Sequence, residues 1–142
     1  MMGQVVGIDV GEARIGLAIS DEGKKIAFPL AVIRRENKSY CINKIKKLLA
    51  ERNIDTFVVG LPVRSNGQRG RECEEVVHYA ETLKTHFPYK VILWDERYTT
   101  VIAEKALLEG DLKREKRREI IDEIAAQVLL QSYLDHLQHT QQ

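Results

Sequence analysis

The strongest constraint in the chain is residues 5–20, Val-Val-Gly-Ile-Asp-Val-Gly-Glu-Ala-Arg-Ile-Gly-Leu-Ala-Ile-Ser. Val5, Val6, Ile8 and Val10 are β-branched, as are Ile15 and Ile19, so the stretch predicts two strands joined at Gly11-Glu12-Ala13. The first half is apolar on both faces, the pattern of a central strand covered from both sides. It ends in one charge, Asp9. A carboxylate there is costly to bury without a partner, which is either the turn amides, an arginine or a metal ion. Alternation puts Asp9 on the face of Val5 and Gly7. Gly7 on the first strand, with Gly16 and Ala18 on the second, leaves that face slim enough for a helix or a ligand to come close.

The remaining elements follow from periodicity. Lys25 to Ile33 alternates around Pro29, which removes a ladder donor and marks an edge strand. Asn37 or Ser39 caps a helix whose apolar stripe is Ile42, Ile45, Leu48 and Leu49. Thr56 to Leu61 is a buried strand, and a helix from about Glu72 to His86 turns Val76, Val77, Ala80 and Leu83 inward. Lys90 to Trp94 is a short strand, followed by a helix capped by Thr99 or Thr100 and ended by Gly110. A last helix runs from about Glu115 to Leu137, with Ile120, Ile121, Ile124, Val128 and Leu129 as its buried positions. Three strands with short turns, then two strand–helix–strand units, predict an α/β fold. Its sheet is mixed and five-stranded, an antiparallel meander plus two parallel strands in the order 3-2-1-4-5, with helices on both faces.

A chain of 142 residues with 44% hydrophobic and 30% charged residues fits one soluble domain spanning 1–142. No apolar run is long enough for a membrane span and no signal peptide is evident, so a cytoplasmic protein is expected. Cys41 and Cys73 lack metal-ligand spacing and read as free buried thiols. The net charge of +1 gives no general attraction for polyanions, which leaves local clusters to be considered.

Three carboxylates stand where such a sheet collects ligands. Asp9 ends strand one, and Glu96 follows strand five beside Asp95. Asp122 lies three and four residues before Ala125-Ala126 and so shares their face. If those alanines pack on the Gly7 surface, Asp122 is carried towards Asp9, while Glu119 and Glu123 point to the solvated side. Converging acids call for a cation, and hard oxygens suit Mg²⁺ or Mn²⁺. Such a site activates water and stabilises the leaving oxygen of a phosphodiester. The bland alternative makes Glu96 and Asp122 surface charges, with Glu96 paired to Arg97.

The segments Gly7-Ile8-Asp9-Val10-Gly11-Glu12-Ala13-Arg14-Ile15-Gly16-Leu17-Ala18, Gly60-Leu61-Pro62, Asp95-Glu96-Arg97-x-Thr99-Thr100 and Asp122-x-x-Ala125-Ala126 occur in an order that resembles the YqgF (RuvX) family. The resemblance covers nearly the whole chain. It implies a ribonuclease H-like fold akin to the junction resolvase RuvC, with Asp9, Glu96 and Asp122 as catalytic and metal-binding carboxylates. It also implies maturation of the 5′ end of pre-16S ribosomal RNA, with Holliday junction resolution as the alternative. Asn66-Gly67 stands where the family often has Asp-Gly, and Glu123 where it often has Lys.

Candidate nucleic-acid contacts are Arg14, just past Asp9, the loop arginines Arg64, Arg69 and Arg71, and the basic run with Lys113, Arg114, Arg117 and Arg118. Each has a plainer reading, as a solvated charge or as the partner of an acidic neighbour. Without an aromatic ladder, contact should be to backbone and shape. The expected partners are pre-rRNA or branched DNA, ribosomal precursor particles, no membrane, and a homodimer if two strands are cut symmetrically. Asp-x-Gly-x-x-Arg also resembles the phosphate loop of actin-like kinases, but that fold needs two such domains and the chain has length for one. A catalytically silent RNA-binding protein would gain nothing from converging negative charge.

Overall fold

The computed structural model describes residues 3–62, 70–95 and 114–140, with side chains of the last segment described from residue 120 onward. Five strands, β1 (Gln4–Val10), β2 (Arg14–Ser20), β3 (Ala27–Arg34), β4 (Ile54–Leu61) and β5 (Lys90–Asp95), form one sheet in the order β3-β2-β1-β4-β5. β1 pairs antiparallel with β2 and parallel with β4, β2 pairs antiparallel with β3, and β4 pairs parallel with β5. Both the order and the mixed directions agree with the sequence pattern. The helix expected between Thr99 and Gly110 lies outside the described residues.

Each face of the sheet carries its own apolar layer. On one face Ile8, Ile15, Leu17, Phe57 and Val59 pack against α1 (Lys38–Leu49) and α2 (Arg71–His86) through Ile45, Val76 and Leu83. Asn37 caps α1, its side chain accepting from the Tyr40 amide at 2.8 Å. On the other face Val5, Ala18 and Val58 meet Ala126, Leu130, Tyr133 and Leu134 of α3 (Arg114–Thr140). Among the described residues no helix is long and apolar enough to cross a membrane.

Three local expectations are corrected. Val77 of α2 is 36% exposed rather than inward, because Cys73, Val76, Ala80 and Leu83 complete the buried stripe without it. In α3 Leu129 is buried as expected, together with Ala125, Ala126, Leu130, Tyr133 and Leu134, but Ile120, Ile121, Ile124 and Val128 are only half-buried. The slim surface at Gly7 and Gly16 accepts helix backbone and a small side chain, so Ala126 sets the contact face and residues four, seven and eight positions later share it. Ile26, just before β3, and Phe28 within it are 53% and 48% exposed, while Ala27 and Ile33 are buried.

A register shift places Ala27 and Ile33 on opposite faces. Ser20, Ile19 and Ala18 oppose Ala27, Phe28 and Pro29, but Leu17 opposes Ala31, so Leu30 is the extra residue of a bulge. Beyond it every side chain of β3 changes face. Ala27 accordingly joins the α3 layer and Ile33 the α1–α2 layer, although a regular strand would put both on one side. Pro29, which has no amide to donate, sits beside the bulge on the edge strand.

Candidate active site

The site is built where α3 crosses the β1–β2 hairpin. Asp9 pairs across the ladder with Gly16, and Gly7 with Ala18, so all four belong to one face. A Cβ on Gly7 would come within 2.8 Å of the Leu130 Cβ and 3.2 Å of the Ala126 carbonyl oxygen. A Cβ on Gly16 would overlap the Asp122 carbonyl oxygen itself and stand 3.3 Å from the Ala126 Cβ. The two glycines are therefore where helix backbone rests on sheet. Since Gly16 is opposite Asp9 and beneath Asp122, the same contact draws the two carboxylates to one end of the face. Both residues are half-buried.

Arg14 supplies the local counter-charge. Its Nη1 stands 3.6 Å from Asp122 Oδ2, with the two side chains 25% and 24% exposed. The hairpin that presents Arg14 is closed by the Gly11 amide donating to the Arg14 carbonyl at 2.9 Å, and is tied to the end of β3 by the Arg35 amide donating to Ala13 at 2.9 Å. Beside it a groove of about 300 Å³ is lined by Arg14, Val32, Arg34 and Glu123. Glu123 is thus half-buried on the wall of this groove, not on the open side of the helix. Arg34, one residue past the strand expected from the sequence, had no place among the candidates, and it reaches this face only through the bulge.

The other candidates fare differently. Val10, Leu61 and Asp95 end parallel strands at one edge of the sheet, so the chain reaches the residue before Glu96 at that edge, with β5 two strands and about 10 Å from β1. Trp94, on the Asp9 face, donates from Nε1 to Ser132 Oγ at 3.2 Å and meets the Tyr133 ring edge-on at 5.3 Å, which ties the end of β5 to α3. Glu96 itself, Arg64, Arg69 and Lys113 lie outside the described residues. Arg114, Arg117 and Arg118 occupy the first turns of α3, and their side chains also lie outside. Arg71 opens α2 and lines a cleft of about 390 Å³ with Gly11, Arg35, Pro62, Glu72 and Glu75. That cleft follows the same sheet edge but opens on the α1–α2 side, and the exposed Arg71 Nε is 3.9 Å from Glu75 Oε1. Among the described residues no group of three or more His, Cys, Asp or Glu could hold a metal ion. The oxygen donors that are described, Asp9 and Asp122, are of the hard type that suits Mg²⁺ or Mn²⁺.

Comparison with known proteins agrees with this architecture. The profile of the RuvX family, described as Holliday junction resolvase, matches residues 3–136. A Clostridium botulinum protein named "Putative pre-16S rRNA nuclease" is 42% identical over 134 residues, covering 94% of this chain and 98% of its own. A Rhodobacter capsulatus protein of the same name is 43% identical over 138 residues, covering 97% and 87%. Among solved structures, Thermus thermophilus RuvC in complex with a Holliday junction substrate superposes with a TM-score of 0.53 at 14% identity, covering 94% of this chain and 96% of that one. The fowlpox virus resolvase with its Holliday junction DNA gives 0.52 at 16% identity, covering 94% and 98%. Those two likenesses establish the ribonuclease H-like fold, and the family match reaches from the first strand almost to the end of the last helix. This chain belongs to the RuvX family and is a nuclease.

Proposed function

We propose that this chain hydrolyses phosphodiester bonds of precursor ribosomal RNA, maturing the 5′ end of pre-16S rRNA, with Asp9, Glu96 and Asp122 as catalytic and metal-binding carboxylates. The observation that supports the reading is the stack of Asp9, Gly16 and Asp122, in which the backbone of α3 at Asp122 is seated on the glycine that pairs with Asp9. A divalent ion, Mg²⁺ or Mn²⁺, supplies charge neutralisation for these acids, polarises phosphate oxygens and lowers the pKa of water. Asp9 holds its place from the central strand of the sheet, so its carboxylate is presented without reorganisation. Asp122 reaches the same end of the face from α3, and Arg14 beside it orients a phosphate of the substrate. Arg64, Arg69, Arg71, Lys113, Arg114, Arg117 and Arg118 extend the contact to backbone phosphates. Ribosomal precursor particles in the cytoplasm are the setting this activity implies.

The relatives' name favours RNA, while the family description favours a second reading, resolution of branched DNA by a homodimer that cuts two strands symmetrically. Cleavage of a 5′-extended 16S precursor and of a four-way DNA junction, side by side in Mg²⁺, Mn²⁺ and EDTA, separates the two. The expected result is metal-dependent cutting of the RNA, with the junction left largely intact. Symmetric nicking of the junction alone would reverse the assignment. Binding of both without cleavage in either metal would make the protein a non-catalytic assembly factor.

A further inference from the structure

We infer that the groove between β3 and α3 at Glu123 is a docking track for the RNA strand next to the scissile phosphate, with Arg34 as a positioning residue that acts together with Arg14. The inference rests on the nuclease reading above and adds to it a residue, a direction and a role. Arg14 and Arg34 are direct cross-strand partners, and Gly16, one step further along the same face, opposes Val32. Side chains directly opposite each other stand about 5 Å apart, and two like charges so placed are destabilising unless something neutralises them. One neutraliser is Asp122, 3.6 Å from Arg14. Arg34 stands on the exposed edge strand, at the outer end of a groove of about 300 Å³ whose other wall is Glu123. A phosphodiester between the two guanidiniums would meet two planar forks of donors and satisfy both.

The bulge at Leu30 is the second, independent observation. Without it the β3 partner of Arg14 would be Ile33, and Arg34 would point to the α1–α2 side. Bulges are common beside active sites, where they re-aim a side chain. Here the one-residue insertion turns Arg34 onto the face that carries Asp9 and Asp122, and it sends Ile33 into the opposite core, where it is buried. The groove thus runs from Arg14, which is 3.6 Å from Asp122, across to Arg34 on the edge strand. Glu123 on its far wall repels the phosphates that Arg34 attracts, so the two residues have opposite effects on binding.

The test uses the full chain and a labelled single-stranded RNA carrying the 16S 5′ extension. Affinity is measured against salt concentration in Ca²⁺, and cleavage in Mg²⁺. Arg34→Ala should weaken binding several-fold and lower the slope of log affinity against log salt by about 0.7, one phosphate contact on a single strand. Arg34→Lys should keep most of that slope, while Glu123→Gln should tighten binding. In cleavage, Arg34→Ala should raise KM more than it lowers kcat, with the Mg²⁺ dependence unchanged. Because Arg34 is exposed, thermal melts of Arg34→Ala should match wild type and exclude misfolding as the cause. If wild type cleaves but Arg34→Ala and Glu123→Gln both leave the salt dependence unaltered, the groove does not carry RNA and only this inference falls. If wild type neither binds nor cleaves the RNA in any metal, the nuclease reading falls and takes the groove with it.

Discussion

Two residues without side chains do most to place the acids. Gly16 lets the backbone of α3 settle until the Asp122 carbonyl lies over β2, and Gly7 admits Leu130 and the Ala126 carbonyl one pair further along the face. Gly16→Ala inserts a methyl group where helix backbone already sits, so the helix must lift. Overpacking of this kind costs about 1–3 kcal/mol. Denaturant titration should show a loss of that size, and cleavage should fall further than the lost folded fraction explains, since Asp122 moves with the helix. A Gly16→Ala protein with wild-type activity would mean that Asp122 need not be held there. Asp9→Asn is isosteric and leaves the packing unchanged. It should reduce metal-dependent cleavage by more than about 100-fold, beyond what is typical for losing a mere supporting group around a metal. Near-normal turnover, measured with the melting temperature unchanged, would remove Asp9 from the site.

At the scale of elements, α3 is held to the sheet by polar staples as well as by its apolar line. Gln131 accepts from the Ala27 amide at 2.8 Å and donates to the Lys25 carbonyl at 2.8 Å, Gln127 donates to the Ala27 carbonyl at 3.1 Å, and Gln138 to the Lys24 carbonyl at 3.1 Å. These glutamines satisfy the entry to an edge strand whose backbone would otherwise be open to pairing with another chain. Gln131→Ala should cost about 1–2 kcal/mol, because part-buried backbone groups lose their partner, and amide exchange at Ala27 should speed up correspondingly. Lys24, in the β2–β3 turn, has a φ of 58°, a conformation that favours glycine. Its ammonium donates to Asp55 Oδ2 at 2.6 Å, which gives this turn a reason to keep a lysine. Burial pushes the Asp55 carboxyl up, but the hydrogen bonds from Lys24 and Thr56 outweigh it and leave the group below the usual aspartate value of 3.8. A carboxyl lowered in the folded state stabilises above its unfolded pKa and loses that contribution as the pH falls through its folded one. Asp55→Asn should therefore cost about 1.5 kcal/mol at neutral pH, the low end for a hydrogen bond to a charged group. The difference from wild type should shrink as the pH drops below 3.8, the unfolded value. Equal differences at pH 7 and pH 2.5 would show that the pair contributes nothing through its charge.

For the whole molecule, folding brings like charges to one end of a face, which a bound cation would neutralise under the proposed function. Asp9 and Asp122 are far apart in sequence and share one end of a face only when the sheet and α3 are both in place. Repulsion between them is partly offset by Arg14, 3.6 Å from Asp122. Neutralising Asp122 both relieves the repulsion and loses that pair, so Asp122→Asn should leave the metal-free protein within about 0.5 kcal/mol of wild type. In excess Mg²⁺ the wild type should gain stability and the mutant very little, since a ligand stabilises only in proportion to its binding of the folded state. Melting both proteins in EDTA and in Mg²⁺ gives the comparison. An equal Mg²⁺-dependent rise in the two would place the metal away from Asp122.

The sheet order, the two-sided covering and the candidate acids all follow from local pattern. β-Branched runs make the strands, turn residues keep the first three antiparallel, and helices between later strands force parallel pairing. Gly7, Gly16, Ala18 and Ala126 mark a close helix–sheet contact in the sequence because only small residues permit it. Asp122 lies on that contact face by helical periodicity alone. What the sequence did not determine was register. Nothing in the alternation of residues 25–33 reveals that Leu30 bulges, and one extra residue in a period of two reverses every later side chain. The placement of Arg34 across the groove from Glu123 depends on that reversal, and so does the burial of Ile33 in the α1–α2 layer. The apolar line of α3 was likewise ambiguous, since Ile120, Ile121, Ile124 and Val128 make as good a stripe as Leu130, Tyr133 and Leu134. Packing on two glycines chose between them, and a contact between segments more than a hundred residues apart is settled only by the tertiary structure.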